Sequence, residues 1–190
     1  MPDVREDAFE LFTHWLYTGR VEVALGENLD KFLITAWALG ELLQAKEFKN
    51  AIANTLCDIW DKKNEVQPES LAPAVLAFKL TPARSKLRHL VVNALAMNGN
   101  PDSFIYEEFD SIATDFVVSV TEVMACILVD ARQGRENSFT HNVCAQYHEH
   151  DDDSKKCSEN DLKTTYTIWD ANEERYETVD ELHHPFAGKS

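Results

Sequence analysis

Cys144, His148, His150 and Cys157 lie within one short stretch, CAQYHEHDDDSKKC. Two thiolates and two imidazoles are the donors, in number and type, that tetrahedral zinc takes. The outer spacings suit such a centre, whereas the His-x-His pair is tighter than the usual zinc-finger pair. His141 stands near enough to replace one imidazole. Four protein donors leave no open position, so the expected centre is structural and staples a tail that has no core of its own. The alternative is an acidic, solvated tail in which Cys and His occur incidentally.

Other reactive side chains form no comparable set. His183 and His184 read as a solvated pair, and the carboxylates Glu107–Glu108 and Glu173–Glu174 as surface decoration, because adjacent helical residues do not face the same way. Cys57 and Cys126 sit on apolar helical faces and are expected to be buried small hydrophobes. His14 and His89 have no Ser or Cys partner at a legible spacing, and no Gly-rich phosphate loop occurs. Neither a catalytic residue nor an organic cofactor site is expected, and the chain is not read as an enzyme.

The totals narrow the classes further. At 190 residues the chain can hold one domain with a real core and a tail. Its 33 acidic against 18 basic residues give a net charge of −15, which repels phosphate backbones and argues against nucleic-acid partners. No apolar run reaches the roughly 20 residues needed to span a bilayer. MPDVREDAF at the N-terminus lacks the basic-then-apolar order of a secretory signal. The expectation is a soluble protein of nucleus or cytoplasm, whose 4 cysteines serve as thiols or metal ligands rather than disulfides.

The elements that must position the Cys/His stretch are helical. Phe9, Leu11, Phe12, Trp15 and Leu16 recur at helical spacing, and Gly19 suits an exit that needs positive φ. Val21-Glu22-Val23 alternates like a short edge strand. A second helix opens near Asn28 with Leu29, Phe32, Leu33, Ala36, Leu39 and Leu43, and a third runs from Phe48 to Trp60. Ser70 is placed to cap a fourth over LAPAVLAFKL, and Thr81-Pro82 to start a fifth carrying Leu87, Leu90, Val91 and Leu95. A short helix is expected over Phe104–Phe109. The last strong one follows Thr114, with Phe116, Val120, Val123 and Ile127, and ends at Gly134. Beyond residue 135 the periodicity stops. KTTYTIW at 163–169 alternates like a strand in need of a partner, and ANEERYETVDELHHPFAGKS reads as solvated and mobile.

The wording of the first two helices is specific. Trp15-Leu16-Tyr17-Thr18-Gly19 and Leu39-Gly40-Glu41-Leu42-Leu43 resemble the second half of a BTB/POZ domain as written in fungal proteins. The likeness covers residues 7–60 well and the helices of 70–134 more loosely, as a helical extension. It implies a protein–protein interaction module without catalysis, with the helices of 8–18 and 29–45 beside a small sheet. Cys–His-x-His–Cys tails are also found after the helices of such proteins. A cullin of a ubiquitin ligase is a partner the resemblance implies. Phe32 would stand at the hydrophobic position of the adaptor pattern, with Ile34 where the acid is expected. Trp15 and Tyr17 join Phe32 as candidate partner contacts.

The first half of the family's domain has no counterpart before residue 7, so the resemblance does not carry over homodimerisation, which relies largely on those elements. The chain then reads as a truncated gene product or a remnant without that surface. Phe9, Phe12, Trp15, Phe32 and Trp37 cannot all be buried in a two-helix layer, so exposed apolar surface and marginal stability are expected. The fold expected is all-α and mostly helical: a partial BTB/POZ core over 1–62, a helical extension over 63–134, and an irregular, partly disordered acidic tail over 135–190 stapled by zinc. Two functions compete: an interaction module acting through its helices, as cullin adaptor or scaffold, and a small structural zinc protein acting through its tail.

Overall fold

A computed structural model of the chain describes residues 6–24, 28–62, 71–98, 114–135, 143–150, 157, 163–170 and 175–182. The fold is mostly helical, as the periodicity predicts. The helices are α1 (Glu6–Thr18), α2 (Leu29–Leu42), α3 (Lys46–Lys62), α4 (Ala72–Leu80), α5 (Lys86–Asn98), α6 (Thr114–Arg132) and the single turn α7 (Val143–Tyr147). Strands β1 (Val21–Ala24), β2 (Lys163–Asp170) and β3 (Arg175–Leu182) form one sheet in the order β1-β2-β3.

Gly19 closes α1 at φ +68, donating its N–H to the Trp15 carbonyl at 2.7 Å. Gly134 does the same service for α6 at φ +69. Both are left-handed positions that a Cβ would strain. The start of α5 differs from expectation. Pro82 forces Thr81 into extended backbone (φ −122, ψ 154), which ends α4 instead of opening the next helix. Ser85 takes over as cap, its Oγ accepting the Arg88 N–H at 3.1 Å. Ser70, Phe104–Phe109, His141, His183–His184 and the Glu107–Glu108 and Glu173–Glu174 pairs lie outside the described residues.

One continuous core joins the helices. α2 packs against α1, α3 and α4; α5 lies against α3, α4 and α6. Trp37, Phe48, Leu33, Ile34, Ile52, Leu56, Leu87 and Leu90 are fully buried. Each such side chain contributes about 1.5–3 kcal/mol of transfer free energy. Phe12 and Trp15 are half-buried and stack on each other and on Phe48, with centroids 5.1 to 6.2 Å apart. The crowding expected among the first aromatics is resolved by burying Trp37 and leaving Phe9 52% exposed. Leu16 and Tyr17 are exposed as well. Cys57 is buried as expected, whereas Cys126 faces solvent on α6.

Among the described residues of the tail, two stretches form strands rather than irregular chain. β2 pairs parallel with β1, Val21 opposite Tyr166 and Val23 opposite Ile168. It also pairs antiparallel with β3, Thr167 opposite Thr178. The stretch read as solvated supplies β3, an edge strand, where charged residues such as Glu177, Asp180 and Glu181 are tolerated. Val21–Ala24 is the other edge, as its alternation predicts. Val143 and Tyr147 enter the helical core, wedged between α3 and α5. Among the described residues, no helix is long and apolar enough to cross a membrane.

Candidate metal centre

Cys144 and His148 are four residues apart, and the His148 N–H still donates to the Cys144 carbonyl at 3.3 Å. The helical turn of α7 therefore sets both side chains on one face. Residues 149 and 150 then leave the helix and return His150, while Cys157, seven residues further along the sequence, joins them. The four donor atoms converge within 4.8 Å of one another. His148 Nδ1 lies 3.0 Å from Cys157 Sγ; His150 Nε2 lies 3.3 Å from Cys144 Sγ and 3.5 Å from Cys157 Sγ. A zinc tetrahedron with Zn–S of about 2.3 Å and Zn–N of about 2.0–2.1 Å sets S···N edges of about 3.5 Å. The cluster thus has the geometry of a zinc-type metal site, and the four residues singled out from spacing are the ones brought together.

Burial and charge fit the same assignment. Cys144 and His148 are buried, His150 and Cys157 half-buried. Two thiolates alone would add negative charge to an already acidic chain. With a divalent cation the set is neutral, which is the form a buried site tolerates. The backbone N–H of Cys157 donates to Cys144 Sγ at 3.1 Å, a further contact that holds the two cysteines together.

Helix α3 supplies the supports, which spacing within the tail could not reveal. Asn54, buried on α3, accepts at Oδ1 a 2.6 Å hydrogen bond from His148 Nε2. The proton is thereby held on Nε2 and the Nδ1 lone pair faces the site. One turn earlier, Asn50 grips the backbone of Glu149 twice: its Oδ1 accepts the Glu149 N–H at 2.9 Å and its Nδ2 donates to the Glu149 carbonyl at 3.1 Å. The Glu149 carboxylate pairs with Lys49, whose ammonium also meets Glu41 at 2.6 Å. Lys49 is almost wholly buried and lies 5.0 Å over the Trp37 ring. It crosses α2 at Gly40, where a Cβ would come within 2.8 Å of Lys49 Cγ.

Helix α5 holds the other side. Asn93 donates to Tyr147 Oη at 2.9 Å, and Lys86 to the Ala145 carbonyl at 3.3 Å. Burial pushes the Tyr147 phenol well above its ordinary range; the Asn93 bond opposes this and nearby Cys57 adds to it. His89, 5.7 Å from the Tyr147 ring, is held below the ordinary histidine value by burial and then by Lys86. The signal that could have found these supports was polar residues on buried helical positions, Lys49, Asn54 and Asn93.

The partner-contact candidates lie elsewhere. Tyr17 is 87% exposed, Trp15 is half-buried in the aromatic stack, and Phe32 is half-buried against the core. Ile34 is fully buried. They do not converge with one another on the Cys/His cluster. No family model, no curated protein and no solved structure matches the chain.

Proposed function

We propose that this is a non-catalytic, helical structural protein whose C-terminal part is locked to its helices by zinc at Cys144, His148, His150 and Cys157. The convergence of all four donors, with His148 oriented by Asn54, is the observation that carries this reading. Four protein donors fill the coordination shell of zinc, so the metal would hold structure and supply no reacting site. What it holds is specific. Loop residues 148–150 are tied to α3, and Cys157 precedes β2, the central strand of the sheet, by six residues of sequence. Metal binding then serves to keep the sheet registered on β1 and the tail docked on α3 and α5. Thermal melts of the full chain with zinc and with a strong chelator test this: the melting temperature should fall on chelation in the native protein and not in Cys144→Ser/Cys157→Ser. Equal melting with and without chelator would overturn it.

A second reading makes the protein a BTB/POZ-type interaction module. Its support is the exposed apolar row Phe9, Leu16 and Tyr17 on α1, beside the half-buried Trp15. A protein partner covering α1 would bury them, and a cullin is one such partner. Replacing Phe9 and Tyr17 by Ser should abolish capture of that partner by the full chain while leaving metal content unchanged. Capture that survives the α1 changes but disappears with chelator would instead assign the interaction to the metal-bound tail.

A further inference from the structure

Cys144 and Cys157 are placed to react with each other as well as to hold a metal. Their sulfurs belong to a set of donor atoms that all lie within 4.8 Å of one another. The Cys157 N–H meets Cys144 Sγ at 3.1 Å, so the main chain of one cysteine is close to the sulfur of the other. A disulfide draws the sulfurs in to about 2.05 Å, a closure that side-chain rotation can supply from this start. Access differs between the two. Cys157 is half-buried, whereas Cys144 is 5% exposed. The pair therefore has one sulfur that a small oxidant can reach and a second thiol behind it to resolve the product.

The neighbours anchor this pair by bonds that do not run through the metal position. His148, four residues after Cys144, is hydrogen-bonded to Asn54, and Asn50 holds Glu149 twice. Tyr147 is bonded to Asn93 on α5. Loss of the metal thus leaves Cys144 beside α3, where an otherwise unsupported metal loop would let its thiols separate. We infer that Cys144 and Cys157 are a peroxide-oxidisable pair that exchanges the zinc clip for a disulfide. Only the displaced cation rests on the zinc reading; the pairing rests on the two cysteines. First, Cys157 Sγ gives an electron pair to one peroxide oxygen. The O–O bond breaks, the sulfur becomes a sulfenic acid, and hydroxide leaves and takes a proton to become water. Cys144 Sγ then attacks that sulfur, the S–S bond forms, and the S–O bond breaks to release a second hydroxide, again protonated to water. Two thiolates each lose one electron, one peroxide is reduced to two waters with two solvent protons, and zinc is released as the divalent cation.

Titration of the full, zinc-loaded chain with hydrogen peroxide tests this, read by a chromogenic zinc indicator, thiol counting and peptide mass mapping. One zinc and two of the 4 thiols should be lost per chain, with the peptides of Cys144 and Cys157 joined. A reducing dithiol should restore both thiols and zinc uptake, and Cys126→Ser should behave as the native chain does. Sulfinic or sulfonic acid in place of the cross-link overturns the inference. A cross-link through Cys57 or Cys126 does so too, as do thiols that persist at a dose that oxidises free cysteine. A chain that holds no zinc yet forms the Cys144–Cys157 disulfide upholds the pair and overturns the metal reading. One that holds zinc and forms no disulfide does the reverse.

Discussion

Asn54 and His148, 94 residues apart, share a buried 2.6 Å hydrogen bond that decides which imidazole nitrogen faces the thiolates. The amide oxygen can only accept, so His148 donates from Nε2 and offers Nδ1 to the site. This bond ties a helix of the core to a ligand of the tail.

Asn54→Leu removes the acceptor at nearly constant volume. Metal affinity should fall about 10- to 100-fold, the usual loss for a partner behind a ligand. Asn54→Asp keeps an acceptor and should retain most of the affinity. Competition with a chromogenic chelator measures both; unchanged affinity in Asn54→Leu would remove the orienting role.

Lys49 joins Glu41 on α2 to Glu149 in the ligand loop from an almost fully buried position. Lys49→Ala loses both ion pairs, the ammonium held over the Trp37 ring and the buried stem that carries it. The carboxylates left behind are partly exposed and can hydrate, which limits the cost. The expected destabilisation is about 2–3 kcal/mol, below the range for a fully buried broken pair. Urea unfolding would show it as a lower midpoint with little change in slope. Lys49→Met, which keeps the stem, should cost less.

Tyr147 makes stability fall at alkaline pH. Its folded pKa is raised, so the fold binds the proton more tightly than the unfolded chain does. The contribution is intact below the unfolded value of about 10 and is lost as pH climbs past it. Tyr147→Phe should flatten the alkaline fall in melting temperature. At neutral pH it should cost about 1 kcal/mol for the lost Asn93 bond. Asn93 keeps His89 Nε2 at 3.2 Å, so it is not orphaned. An identical alkaline limb in the two proteins would contradict this account.

Local features were the legible ones. Apolar spacing placed the six long helices, Gly19 and Gly134 marked their exits, and residue type with spacing picked the four ligands. Each depends on neighbours within a few residues. The supports at Lys49, Asn50 and Asn54 were hidden because their partners stand about a hundred residues away, and a polar side chain on α3 looks the same whether it meets water or a ligand. β3 escaped for the same reason: Glu177, Asp180 and Glu181 read as solvated until β2 is beside them. Thr81-Pro82 misled locally, since the same dipeptide can open a helix or, by extending Thr81, close one.

Metal content tests the central claim most directly. The full chain, produced without a histidine tag and dialysed against metal-free buffer, should retain one zinc per chain by elemental analysis. Cys157→Ser and His148→Ala should retain far less. Native protein that is folded yet free of stoichiometric metal, and that takes up none when zinc is supplied, would contradict the account.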